Sequence, residues 1–236
     1  MEADRLTKSY GGRTVVDGLS FRVESGEVFG LLGHNGAGKS TTIDLLLGLR
    51  KADGGSGTIF GMEPGKNRKK VFERVGVQLQ SSNYQNNIRV DEICRQMAAL
   101  YENPTDYHEL LKFFSLERFE KAQVSKLSGG EKQKLSVALA LINNPEIVFL
   151  DELTTGLDVA ARREVWKQLK ELKKKGTIIF LTTHYMEEAE SLCDRVCLIK
   201  EGRKIVEGTV KEVVDNSPYG NLEEAYLWYM GEEAAQ

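Results

Sequence analysis

Residues 27–48 read EVFGLLGHNGAGKSTTIDLLLG, and the three parts of this run set the fold class. Residues 27–32 are nearly all apolar, as a strand covered on both faces would be. Residues 40–47 are apolar enough for a buried helix, and Gly48 supplies its stop. Between them, GHNGAGKS at 33–40 satisfies the pattern G-x-x-x-x-G-K-[ST] in the strand–loop–helix setting that the pattern requires. A covered strand that feeds a helix through a glycine loop opens an α/β fold with a largely parallel sheet. Such folds place ligands outside the carboxyl ends of their strands.

The loop itself points to phosphate. Gly33, Gly36 and Gly38 admit φ > 0 and close backbone approach. Successive N–H groups over Asn35, Gly36, Ala37, Gly38, Lys39, Ser40 and Thr41 can therefore wrap an anion at the positive end of the helix. Lys39 would set its charge between the β- and γ-phosphates, and Ser40 would offer its hydroxyl to Mg²⁺, so ATP and Mg²⁺ are the expected ligands. Farther on, the apolar run IVFL at 147–150 ends in Asp151 and Glu152. One carboxylate can hold hydrated Mg²⁺ while the other polarises a water for attack on the γ-phosphorus; a solvated turn is the plainer reading of the same pair.

A second helix start stands at LSGGEKQ, residues 127–133. Ser128 with Glu131 three positions later is a capping box, which is chemically sufficient by itself. Gly129 and Gly130 also clear the helix start of side chains, which leaves N–H groups able to approach a large anion. Both readings can hold at once.

The remainder of the chain fits this frame. Strands are expected at 19–23, 58–60, 75–79, 177–183, 196–200 and 204–207. From 90 to 119 the pattern turns helical, with Ile93, Met97 and Leu100 at spacings of four and three, and looks like an inserted helical subdomain. A long helix at 130–143 stops at Pro145. Another begins at a cap on Asp158, carries the stripe Val165, Trp166, Leu169 and Leu172, and ends at Gly176. Residues 222–230 form a short amphipathic helix. The expected division is a single unit, with 1–84 and 145–208 as catalytic core and antiparallel β subdomain, 85–144 as helical subdomain and 209–236 as helical tail.

With 236 residues the chain supports one sizeable core with a subdomain. A net charge of −3 argues against general nucleic-acid affinity. The start MEADRLTKSY resembles no secretory signal, and no apolar run approaches the roughly 20 residues that cross a bilayer. A cytoplasmic chain is expected, peripheral on the inner face of the membrane if it has a membrane partner. Cys94, Cys193 and Cys197 have no zinc spacing and read as small buried apolar residues in a reduced compartment.

Together, LSGGEKQ, GHNGAGKS and IVFLDE resemble the ATP-binding subunit of ABC transporters, over residues 5–206. LSGGEKQ separates this family from other P-loop ATPases. The resemblance implies a P-loop NTPase core, with two cassettes, identical or not, packed head to tail. Ser128, Gly129 and Gly130 of one would close on the γ-phosphate held by the other. It further implies that Tyr10 stacks on adenine, that Glu152 is the catalytic base, and that Asp151 and Ser40 hold Mg²⁺. Gln80 would touch Mg²⁺ and the attacking water, with Gln78 as its competitor. His184 would contact the γ-phosphate. Asp158 would cross the dimer interface, beside its role as a helix cap. Leu153 stands where the family usually has proline.

THYMEEAESLCDRV and NLEEAYLWYMGEE resemble the ABC-2 branch of multidrug and antibiotic exporters. The expected function is ATP hydrolysis that drives a separate transmembrane permease subunit, with no direct nucleic-acid contact. The alternatives are an ABC ATPase acting on nucleic acid or ribosomes, which usually has two cassettes or a long coiled-coil insert, and a regulatory module without turnover.

Overall fold

The computed structural model describes residues 1–79 and 84–231. Along the chain run β1 (Glu2–Tyr10), β2 (Arg13–Arg22), β3 (Val28–Leu32), α1 (Lys39–Leu46), β4 (Gly54–Thr58), α2 (Arg68–Phe72) and β5 (Val75–Gln78). Then come α3 (Val90–Ala98), α4 (Tyr107–Phe113), α5 (Gly129–Ala140), β6 (Ile147–Asp151) and α6 (Val159–Lys174). The chain continues through β7 (Ile178–Thr183), α7 (Met186–Leu192), β8 (Arg195–Lys200), β9 (Arg203–Thr209), α8 (Val210–Asp215) and α9 (Leu222–Tyr229). These elements form two compact units: Met1–Val71 with the chain from Phe180 onward, and Phe72–Ile179.

In the first unit, β1 is the middle strand of an antiparallel sheet ordered β2-β1-β4. β3 pairs in parallel with β8, from Phe29 opposite Arg195 to Leu32 opposite Leu198, and β9 adds to β8 antiparallel. All five residues of β3 are buried, as its unbroken apolar run requires. Phe21, Phe29 and Phe180 stack at centroid distances of 5.3, 5.9 and 5.8 Å. The last helices close this unit: Leu222 of α9 and Met230 pack with Val213 of α8 against Leu32, Val196 and Leu198. Lys200 Nζ donates to the Met230 carbonyl (2.5 Å), and the Leu222 N–H donates to Glu190 (2.6 Å).

In the second unit β5 and β6 run parallel, from Val75 opposite Ile147 to Gln78 opposite Leu150. α5 packs against β5, and Gly76 makes that approach possible: a Cβ there would lie 2.0 Å from the Ala140 carbonyl oxygen. Asn143 locks the same corner by donating to the carbonyls of Phe72, Glu73 and Val75 at 3.1, 3.3 and 2.9 Å. α3, α4 and α5 pack together. At the start of α3 the fully buried Asp91 carboxylate binds Arg89, Arg95 and Lys121.

Three strands differ from the sequence reading. The strand expected at 58–60 is β4 at Gly54–Thr58, while Phe60 takes φ 54° and turns the chain. β4 reads GGSGT, in which only Thr58 favours a strand; pairing with β1, Glu2 opposite Thr58 to Thr7 opposite Gly54, makes it a strand. β1 lies ahead of the first strand expected from the sequence, and β2 begins six residues before the expected 19. α5 ends at Ala140, capped at Leu141, ahead of the expected 143. No helix among the described residues is long and apolar enough to cross a membrane.

Candidate functional site

The first unit carries the glycine loop. Gly38, with φ 105°, is the residue before α1, and no side chain caps that helix. A Cβ at Gly38 would lie 2.5 Å from the Val15 carbonyl oxygen, so the loop is built for glycine in both conformation and space. Gly36 has φ 84° with open space around it, and His34, Asn35, Gly36 and Ser40 are exposed. Lys39 is buried, and its ammonium donates to the carbonyls of Gly33 (2.9 Å) and His34 (3.1 Å), which folds it back along the loop. Behind the loop, Ala37 is buried and accepts from the Gly202 N–H (3.0 Å), and Thr42 donates to the Gly38 carbonyl. The outcome is an exposed concave backbone, an uncapped helix start and a lysine at its floor, which together fit a polyphosphate.

Tyr10 is 39% exposed at the end of β1, with Lys8 Nζ 5.4 Å and the Arg50 guanidinium 5.7 Å from its ring centroid. Asp44 holds Arg50 at 2.7 Å and raises its pKa further. The open ring offers a surface for stacking. His184 follows β7, half-buried, with its ring 4.2 Å from that of Tyr185. The Tyr185 N–H donates to Thr183 Oγ1 (2.9 Å), which holds the turn.

The second unit carries the carboxylates and the other helix starts. Asp151 closes β6 and is buried, as is Glu152 directly after it. Glu152 has φ 49°, the left-handed region that an ordinary side chain occupies only at a cost. That residue turns the chain out of the strand, and the Thr155 N–H closes the turn onto the Glu152 carbonyl (3.2 Å). Leu153, in the place of the usual proline, is 2% exposed and anchors the turn by burial.

Ser128 caps α5. Its hydroxyl accepts from the Glu131 N–H (3.3 Å), and the Glu131 carboxylate accepts from the Ser128 N–H (2.8 Å). That backbone donor holds the Glu131 carboxyl below its ordinary range, with Arg118 and Lys134 adding to it. Gly129 is exposed and has open space where a Cβ would stand. The capping box is therefore formed, and it leaves Gly129 bare.

Asp158 caps α6 with its side chain alone, accepting from the Ala161 N–H (2.8 Å). Of the two candidate glutamines, Gln78 is buried at the end of β5 and donates to the Leu79 carbonyl (2.7 Å); Gln80 lies outside the described residues. Sequence reasoning did not single out Lys134 and Glu164, which bond at 2.5 Å beside a polar cavity of about 500 Å³. The signal was present: each stands six residues after a cap, Ser128 or Asp158.

Comparisons with known proteins bear on the family. The ABC transporter family model matches residues 16–155. The Nod factor export ATP-binding protein I of Paraburkholderia xenovorans is 45% identical over 229 residues, which cover 91% of this chain and 72% of that protein. Its namesake in Mesorhizobium japonicum is 45% identical over 215 residues, covering 89% and 63%. A solved ATP-binding subunit of an ABC transporter superposes with a TM-score of 0.88 at 28% identity, over 97% of this chain and 98% of its own. A bacterial ABC transporter cassette solved as a dimer superposes at 0.79 and 25% identity, over 88% of this chain and 97% of its own. The chain, with its P-loop NTPase fold, therefore belongs to the ABC transporter family and is an ATP-hydrolysing, ATP-binding subunit of it.

Proposed function

We propose that this subunit powers export through a separate transmembrane permease, to which it binds peripherally on the inner face of the membrane. The observation that carries nucleotide binding is the loop of Gly36 and Gly38 opening onto an uncapped α1, with Lys39 at its floor. The export direction rests on the relatives, which are named for Nod factor export.

In this reading the N–H groups of residues 33–41 bind the phosphates, and Tyr10 stacks on the base. Mg²⁺ suits the donor set of the Ser40 hydroxyl, the Asp151 carboxylate and Gln80, all hard oxygen ligands, and when bound it neutralises charge on the β- and γ-phosphates. Glu152 takes a proton from the attacking water as its oxygen bonds to the γ-phosphorus and the bond to the bridging oxygen breaks. His184 orients the γ-phosphate. The dimeric relative supports a two-cassette arrangement in which Ser128, Gly129 and Gly130 of a second ATP-binding subunit cover the same phosphate, with Asp158 at the interface. Loss of that phosphate on hydrolysis removes the shared ligand and releases the pair.

The test is steady-state ATP hydrolysis by wild-type chain and by Glu152→Gln. A fall in kcat of about 100-fold or more is expected, with nucleotide still bound. Unchanged turnover would remove Glu152 from its role. Tagged Glu152→Gln chain, captured with ATP from detergent-solubilised membranes, should bring a multi-span protein with it; ribosomal or DNA-associated proteins alone would favour an ABC ATPase outside transport.

A further inference from the structure

The helices α5 and α6 begin level with one another. Gly130, the second residue of α5, lies against the third residue of α6: a Cβ on Gly130 would stand 3.4 Å from the Ala161 Cβ and 3.8 Å from Leu157 Cδ2. One turn on, Lys134 Nζ donates to Glu164 Oε2 at 2.5 Å. Lys134 is the sixth residue of α5 and Glu164 the sixth of α6. Contacts at the second or third position and again at the sixth, in the same order, mean that the two first turns run in the same direction at the same height.

The pair is asymmetric in exposure. The Lys134 side chain is 11% exposed and that of Glu164 40%. A nearly buried ammonium needs its carboxylate, so the bond sets the distance between the helices more firmly than a surface pair would. Arg118 and Glu131 border the same cavity, and their closest approach of 3.7 Å is too long for a hydrogen bond. Lys134–Glu164 is thus a short polar tie between the two helix starts.

We infer that Lys134 and Glu164 are positioning residues, which hold the Ser128 and Asp158 helix starts at one level so that a second cassette meets both together. This rests on the two-cassette reading above. Neither side chain touches nucleotide; each acts through the cap six residues before it.

The test uses full-length chain carrying Glu152→Gln, with ATP-driven dimerisation followed by analytical ultracentrifugation. Lys134→Gln and Glu164→Gln should each weaken dimerisation by about tenfold, and the double variant by no more than either single one, because both remove the same bond. Lys134→Arg should restore dimerisation. Binding of a fluorescent ATP analogue to the monomer should not change, since the P-loop belongs to the other unit. Singles that dimerise like their parent, additive losses in the double variant, or losses that follow the melting temperature and analogue binding would each overturn the assignment. A Glu152→Gln parent that stays monomeric with ATP would overturn the two-cassette reading itself, and this inference with it.

Discussion

Glu152 joins chemistry and backbone at one residue. Its left-handed φ of 49° turns the chain out of β6 and leaves the carboxylate next to Asp151. A conformation of this kind costs a residue with a Cβ about 1 kcal/mol relative to glycine. Glu152→Gly should therefore be more stable than Glu152→Ala by about 1 kcal/mol in urea unfolding, the reverse of the order in a helix, while both lose turnover. Equal stabilities, or a more stable alanine variant, would show that the turn relaxes without a left-handed residue. The sequence disclosed the pair Asp151–Glu152 because an apolar run ending in two carboxylates is visible as a string. It did not disclose the φ, since Glu is an uncommon choice for that region and only the folded turn reveals it.

At the level of elements, the helix starts are what composition disclosed best. Ser128 with Glu131, and Asp158 before an apolar stripe, are local patterns, and both caps form as read. Asp158→Ala removes the bond to the Ala161 N–H and should cost about 1 kcal/mol in chemical unfolding, against a few tenths for Asp158→Gly. A loss well under that for alanine would mean that another group takes over the cap. Strands β1 and β4 were hidden for opposite reasons. In β1 only Ala3 and Leu6 are fully buried, and the register slips on each side of Leu6, so the period of two is broken. In β4 only Thr58 of GGSGT favours a strand, yet Gly55 is needed: its φ is 73°, and a Cβ there would lie 2.2 Å from the Arg5 carbonyl oxygen. Non-local pairing settled both, and a single sequence does not display such pairing.

For the molecule as a whole, acid sensitivity has a definable source at Asp91. Burial alone would raise its pKa, but Lys121 and Arg89 hold it down to about 2, below the ordinary 3.8. The fold therefore favours the ionised form. Its contribution is complete above pH 3.8 and is lost as the pH falls toward about 2. Asp91→Asn should lower stability at pH 7 by about 2 kcal/mol and flatten the decline between pH 4 and pH 2, measured as urea midpoints across that range. An unchanged slope would assign the acid transition to other carboxylates. The division into two units depends on which segments touch and not on where composition changes.

That division also bears on how the chain is made. The chain leaves the first unit at Val71 and returns to it at Phe180. A ribosome thus delivers the second unit as one uninterrupted run, while the first waits half-made. β3, which leads into the P-loop, gains β8 as a parallel neighbour only once residues 195–200 emerge, and the apolar cluster around Leu32 is complete only with Leu222 and Met230. The stretch that announces the fold near the beginning of the sequence is thus among the last to become competent for nucleotide, and a nascent chain carries an unfinished P-loop through most of its synthesis.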